Sequence, residues 1–401
     1  MQVRRFFSKK RQVLIMGISL KKCCFTSPSS FLRLSLLFFF LVPLSNLLAL
    51  QHFLAPILSA KSITEANNRL AFEVYSQAQE EASSLVFSPL SLSASLLCLY
   101  PAMDTETKAI ANKYFSSSEG FGNWMDFLPL YLRSINDEGE AHLKSQVALF
   151  MRKKPSSAFL KNAGLFLERG VEELPTSSVS YLDKELPLSL SENGLLTASS
   201  FSYQAKWPKA FLSKKQGQVS FMEKTEYVPY LKMKSFEMIE LVYDGKKLGN
   251  ERLCLYLILP KENLSRFHQK FNLKNFQRWV RSLSLIRRQV ILPEIELNTK
   301  RDFSALLKRT PLKAFFQNTA KYSRLKAEES FYLQCLWHES SFCLSVQGSF
   351  QDSAKKTIGS SVQTSEFLES FRLDKPFVFI VFDKRAEMIL MMGKCEDLSI
   401  K

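Results

Sequence analysis

Residues 348–382 read GSFQDSAKKTIGSSVQTSEFLESFRLDKPFVFIVF, and three kinds of chain meet in them. Phe377–Phe382 is apolar at every position, so both faces of that strand must be covered, which places it inside a sheet. The compact Asp374-Lys375-Pro376-Phe377 precedes it. From Gly348 to Arg372 runs a polar stretch without a period, and the strand-like run Ser341–Gly348 leads into it. A long segment without regular structure inside a compact domain is uncommon, and is functional or disordered.

The rest of the chain supplies the globule around this segment. Leu143–Met151, Leu195–Tyr203, Glu251–Leu259, Gln289–Leu297 and Met388–Gly393 read as further strands, with helical stretches between them. Leu253–Leu259 is apolar on both faces, like Phe377–Phe382. Apolar residues at helical spacing predict a first helix over Thr64–Ser83, with Thr64 as its cap. Pro89 fits the first turn of a second helix running through Leu99, and a third covers Thr105–Phe115. The expected class is α+β with large sheets, and without internal repeats or long linkers residues 61–401 read as one domain.

With 401 residues, 46% apolar and only 13 Gly and 15 Pro, the chain has material for a large core. The net charge of +16 suggests nucleic acid at first, but residues 1–60 hold eight Lys/Arg and no acid, so half of the excess belongs to the N-terminal segment. The remainder falls in pairs such as Lys153-Lys154 and Arg287-Arg288, with no helix-long stripe or aromatic platform. Solvated faces are expected, and no nucleic-acid partner.

A basic start, the apolar Leu34–Val42, then Pro43, Ser45 and small residues follow the order of an export signal, with cleavage near Ala49 or Ala60 and Met16 as an alternative start. The apolar stretch through Leu50 is shorter than the ~20 residues of a membrane span, so a retained anchor is the alternative to removal. The expected organisation is a leader over 1–60 and a secreted, extracellular or envelope-located domain, meeting a membrane only through the leader. Of seven cysteines, Cys23 and Cys24 lie in the leader; the odd five that remain make no disulfide framework, and Cys254 and Cys343 read as buried hydrophobes.

Catalytic patterns are sparse. Only four histidines are present, and HExxH, CxxC, GxSxG, GxGxxG and P-loop patterns do not occur. A triad assembled from distant residues has no motif in its favour, and no metal, cofactor or enzyme activity is expected. His338, beside Leu336 and Trp337, reads as a hydrogen-bonded core histidine.

The order of Phe87-Ser88-Pro89-Leu90-Ser91, Lys206-Trp207, Val228-Pro229, Leu292-Pro293, Lys375-Pro376-Phe377 and Met392-Gly393-Lys394, with Leu333–His338 running into Gly348-Ser349, resembles the serpins over about Leu70 to Lys394. The resemblance implies a large central mixed sheet with further sheets, about eight or nine helices and an exposed reactive loop at about 349–372. It also implies a suicide-substrate inhibitor, whose loop is attacked by a serine (or cysteine) protease and inserts as a new middle strand while the acyl enzyme persists. Matching positions put Ser88, Ser91 and His338 in a cluster under which the sheet opens, with Trp207 at its top. Ser199 stands where the family has Asn, offering one hydroxyl in place of an amide.

Two further departures accompany it. The interval Val147–Trp207 is short and lacks a long amphipathic pattern, so the helix that covers the sheet face is expected to be truncated. Between Phe115 and Leu143 the only base is Arg133, so no strong heparin site is expected.

The hinge departs from the family's small residues. After Gly348 and Ser349 come Phe350, Gln351, Asp352, Ser353, Ala354, Lys355 and Lys356, and strand alternation with Ser349 inward buries Gln351 and Lys355. Such a hinge slows insertion, so two classes stay open: a protease-trapping monomer, and a non-inhibitory binding or substrate-like protein of the same fold. Counting forward from Gly348 by the usual hinge length of the family it resembles reaches Val362, and counting back from Leu373 in the closing motif reaches Ser365, so the resemblance implies a scissile bond within Val362, Gln363, Thr364, Ser365 and Glu366, suited to an elastase-like protease rather than a trypsin-like one.

Overall fold

The structure, a computed structural model, describes residues 44–81, 83–115, 127–128, 130–131, 134, 142–163, 171–173, 178–181, 184–216, 219–244, 252–317, 321–326, 329–349 and 368–398. It divides into Met1–Ala55, described from residue 44 as helix, and the large unit Pro56–Lys401. In chain order the elements are α1 (Leu44–Ala78), β1 (Leu85–Phe87), α2 (Pro89–Leu97), α3 (Thr105–Phe115), β2 (His142–Met151), α4 (Ser157–Ala163), β3 (Val171–Glu173), β4 (Ser178–Tyr181), β5 (Lys184–Ser189) and β6 (Gly194–Lys206). Then follow β7 (Leu212–Gln216), β8 (Val219–Lys232), β9 (Phe236–Val242), β10 (Leu253–Pro260), α5 (Leu264–His268), α6 (Leu273–Arg281), β11 (Ser284–Pro293), β12 (Ile295–Asp302) and α7 (Ser304–Leu307). The chain closes with β13 (Tyr332–Leu344), β14 (Gly348–Ser349), β15 (Ser370–Arg372), β16 (Phe377–Asp383) and β17 (Met388–Cys395). Two short 3-10 helices, Tyr100–Ala102 and Pro311–Phe316, complete these elements, and the described residues 127–128, 130–131 and 134 are helical as well.

A nine-stranded sheet runs β1-β17-β16-β10-β9-β8-β11-β15, with β7 on β8. The two fully apolar strands, β10 and β16, pair at its middle, where both faces must be covered. Phe276 of α6 meets Tyr256 edge-on at 5.4 Å on one face, and Phe379 stacks on Phe342 at 4.0 Å on the other. That second contact joins the two large sheets, since Phe342 belongs to the six-stranded sheet β12-β13-β6-β2-β3, with β14 on the end of β6. Every residue of α2 is buried, packed against β2, β6, β13 and β17. The face of the six-stranded sheet turned away from the main core carries a separate apolar cluster that includes Phe150, Leu196, Ala198 and Trp337. An apolar side chain fully withdrawn from water contributes about 1.5–3 kcal/mol, so these cores far outweigh any single polar contact.

Several sequence-based boundaries change. The first helix begins at Leu44, and Thr64 is no cap: it lies within α1 and donates its hydroxyl to the Ala386 carbonyl at 3.1 Å. Asn67 and Asn68 likewise bind the backbone of β17 and its preceding turn, so tertiary partners override the local capping signal. Residues 212–242 are three strands, not helical stretches, because β8 alternates Val228 and Tyr230 inward against exposed Tyr227 over a length that polar residues disguise. Gln289–Leu297 is two strands in different sheets, divided after Pro293, which lacks the N–H to continue a ladder. The strand before the long loop begins at Tyr332, not Ser341, and ends at Leu344.

Further differences concern sites read from composition. Within the interval Val147–Trp207 the described residues include the short α4 and strands β3–β5. The described cysteines are free, and Cys343 is half-buried rather than buried. The expected absence of a basic stripe fails at α6. Phe276 and Trp279 face the core, while Lys274, Arg278 and Arg281 fall within one third of a turn on the solvent side. Among the described residues, no helix is long and apolar enough to cross a membrane. Arg133 and the apolar Leu34–Val42 lie outside the described residues.

Candidate functional site

Ser88 ends β1's extended backbone and caps α2: its Oγ accepts the Ser91 N–H at 3.3 Å, and Pro89 occupies the first helical turn. The Ser88 N–H is therefore free of the helix and donates to His338 Nε2 at 3.1 Å. With Nε2 accepting, the ring proton sits on Nδ1, which donates to Ser199 Oγ at 2.9 Å. Burial pushes the imidazole down to about 3, so it is neutral in the folded protein. Ser91 Oγ pairs with Ser145 Oγ of β2 at 2.8 Å. One imidazole and a few hydroxyls thus join α2 to the inner faces of β2, β6 and β13.

The cluster joins one helix to three strands through buried polar groups. Among the described residues no carboxylate is bonded to His338, and the serines bonded around it are all wholly or nearly buried. Ser199 and His338 are direct neighbours across the β6–β13 ladder, which runs parallel from Gly194/Tyr332 to Ser202/Ser341. The buried hydroxyls of Thr197, Tyr203 and Ser340 have no partner among the described residues.

At the end of β6 the chain changes partners. Ser345–Gly348 forms a tight turn closed by reciprocal backbone bonds, Ser345 N–H to Gly348 O at 2.9 Å and Gly348 N–H to Ser345 O at 3.2 Å. β14 then lies antiparallel to β6, with Gly348 opposite Lys206 and Ser349 opposite Ala205. Gly348 has φ +155°, and a Cβ there would sit 1.9 Å from the Ala205 carbonyl oxygen and 2.7 Å from Lys206 Cα. Neither atom can yield, since both are backbone. Gly348→Ala is expected to lower the unfolding free energy by about 2 kcal/mol or more and to speed proteolysis of the following segment. Thermal unfolding with limited proteolysis measures both, and an unchanged melting temperature contradicts the steric reading.

Trp207 seals this corner. It is buried, donates Nε1–H to Ser345 O at 3.0 Å, and stacks on Tyr243 at 4.6 Å with the rings 7° from parallel. Tyr243 OH in turn bonds Ser349 Oγ at 2.7 Å, and Ser349 is wholly buried. From residue 368 the described chain packs against the nine-stranded sheet. Phe371 and Leu373 are fully buried, and β15 runs parallel to β11. Glu369 receives Arg288 Nη1 at 2.5 Å and Lys232 Nζ at 3.4 Å, and Arg288 first, then Lys232, hold its carboxyl below the usual range.

The structure therefore brings Ser88, Ser91, Ser199 and His338 into one bonded cluster and puts Trp207, Gly348 and Ser349 at the mouth of the same sheet. Phe350, Gln351, Asp352, Ser353, Ala354 and Lys355, and the scissile region Val362, Gln363, Thr364, Ser365 and Glu366, lie outside the described residues. Ser145, Tyr243, Ser345 and the Arg288–Glu369 pair were not singled out from sequence. Strand alternation gives Ser145, between inward Leu143 and Val147, and Tyr243, two residues after inward Leu241. The ion pair spans 81 residues and carries no local signal.

A family model described as "Serpin (serine protease inhibitor)" matches residues 197–398, just over half of the chain. A serpin-like protein of Methanosarcina acetivorans is 23% identical over 371 residues, covering 83% of this chain and 86% of the relative. The leukocyte elastase inhibitor of Bos taurus is 23% identical over 390 residues, covering 83% of this chain and 99% of the relative. Among solved structures, human glycosylated kallistatin superposes with a TM-score of 0.71 at 18% identity, covering 84% of this chain and 98% of that one. Human thyroxine-binding globulin superposes at 0.69 and 17%, with the same coverages.

Proposed function

The chain belongs to the serpin family, whose function is generally of the protease-inhibitor type, and from that premise we propose that it is a suicide-substrate inhibitor of serine proteases, with cysteine proteases as a wider class. One observation carries the proposal. β13 is paired directly and in parallel with β6, while β14 already lies antiparallel on the next residues of β6. A strand continuing from β14 has a place waiting between β6 and β13 once their ladder parts. The protease nucleophile attacks the scissile carbonyl within Val362–Glu366, the amine of the following residue leaves, and an ester joins enzyme to loop. Insertion of the freed strand exchanges one parallel ladder for two antiparallel ones and moves the ester away before water reaches it. The chain contributes a substrate loop and a receptive sheet, with no catalytic group of its own.

The cluster around His338 sets how readily the ladder parts. Its bonds tie α2 to β6 and β13, so opening breaks contacts that the unpaired Thr197 and Ser340 hydroxyls do not reinforce. The protein acts as a monomer, exported and freed of residues 1 to about 49 or 60, where the basic, apolar and small-residue regions follow export order.

Incubation of the exported chain with elastase-like and trypsin-like proteases, followed by a denaturing gel, tests this. A band of summed mass with an elastase-like enzyme is the expected result, with clipping at Lys355 or Lys356 by trypsin-like enzymes. Clipping without any complex across the panel leaves the second reading, a serpin-fold binding protein. The large and charged hinge residues Phe350, Gln351, Asp352, Lys355 and Lys356 favour that reading, and thyroxine-binding globulin is a fold neighbour named for binding.

A further inference from the structure

The nine-stranded sheet is only partly covered on the face that α6 occupies. Met238 of β9 and Tyr256 of β10 share that face, and the register Leu231↔Met238 carries it into β8. Odd-numbered residues of β8 therefore lie on the α6 side. Through Leu285↔Pro229 and Arg287↔Tyr227 so do Leu285 and Arg287 of β11. Here the helix no longer covers them: Tyr227 is 65% exposed and Leu285 67%. Two large apolar side chains thus continue the helix-covered face into solvent, with Arg287 opposite Tyr227.

The helix beside this strip is cationic. Lys274, Arg278 and Arg281 share its solvent face, Lys270 precedes it, and none of the four has an ion pair among the described residues. From Lys261 to Pro293 the only acid is Glu262. Trp279, 4.3 Å from Phe236, brings the β8–β9 turn against the helix; that turn adds exposed Met233 and Lys234, while its Lys232 is paired with Glu369.

We propose that the solvent face of α6 and the adjoining Tyr227–Leu285 strip form a docking surface for an anionic lipid bilayer. Charge complementarity selects the partner: uncompensated Lys and Arg are drawn to an anionic leaflet. The apolar strip selects a bilayer over a soluble polyanion. A sulfated or phosphorylated chain needs only the cations, whereas an interface also accepts Leu285 and the amphipathic ring of Tyr227. Docking through this face is separate from the β6–β13 seam, so it localises the protein without engaging the cluster around His338.

The test uses the full chain in flotation with vesicles of phosphatidylcholine alone or with added phosphatidylserine. Any contribution of the N-terminal segment is common to all variants, so the quantity read is the gain caused by the anionic lipid. K274E/R278E/R281E is expected to reduce that gain about 100-fold or more. Y227S/L285S, at exposed sites, is expected to reduce it several-fold with the melting temperature unchanged. An undiminished gain in the charge variant overturns the proposal. So does a gain that Y227S/L285S leaves intact while heparin binds wild type and this variant equally, which assigns the face to a soluble polyanion.

Discussion

Lys355→Thr is expected to raise the ratio of trapped to clipped product by about tenfold or more with a protease cutting near Val362, while the initial rate of loop cleavage stays the same. The seam explains why. Continuing the register Gly348↔Lys206 and Ser349↔Ala205 places Gln351 opposite Tyr203, Ser353 opposite Phe201 and Lys355 opposite Ser199. All three β6 residues face the main core, as does Ser349, whose hydroxyl is bound to Tyr243. An inserting Lys355 therefore arrives beside Ser199 and a neutral His338, with hydroxyl acceptors but no carboxylate. An ammonium buried without a counter-charge costs several kcal/mol even after relaxation. That cost falls on insertion and not on the first nucleophilic attack, so it lengthens the interval in which water can deacylate the enzyme.

Gln351 has the opposite effect at the same seam. The Tyr203 hydroxyl is buried without a partner among the described residues, and an amide arriving opposite it can both donate and accept. The hinge is thus not uniformly hostile to insertion. Threonine at 355 removes the charge and keeps a hydroxyl for Ser199. An unchanged ratio, with mass spectrometry placing the cut within Val362–Glu366, shows that Lys355 does not limit insertion.

What the sequence revealed and what it hid follow from the range of the forces involved. β10 and β16 were legible because burial on both faces demands an unbroken apolar run, and α3 because its spacing and its ends agree. β8 was not, because only part of its length is covered and its exposed residues blur the alternation. α1 shows a related limit: its Thr64, Asn67 and Asn68 resemble cap and turn residues locally, but their partners are backbone groups more than 300 residues away. At the site, the Ser88-Pro89 cap is a local signal. His338 meeting the Ser88 N–H, or Tyr243 meeting Ser349, depends on tertiary register that no local pattern encodes. The basic face of α6 went unnoticed for a simpler reason: Lys274, Arg278 and Arg281 are separated in sequence and converge only when wound onto a helix.

The same cluster makes the fold acid-sensitive, with a sign fixed by His338. In the folded protein burial lowers it to about 3, against a usual value near 6.5 for an unfolded chain. Between those values the unfolded state binds a proton that the native state refuses, so stability present above pH 6.5 is lost as pH falls toward 3. The loss approaches about 1.4 kcal/mol per pH unit once the solution is well below 6.5. His268, hydrogen-bonded to Tyr75 and pushed down to about 4 mainly by burial, adds a loss of the same sign. His338→Gln separates the two. The amide can accept from Ser88 and donate to Ser199, but it does not titrate, so the variant is expected to be the less stable protein at pH 7.5. The gap should narrow by about 2 kcal/mol by pH 5. Chemical denaturation across that range measures it. Parallel stability curves for the two proteins would mean that His338 is not held neutral beneath the sheet, and that the bonds to Ser88 and Ser199 do not constrain its protonation.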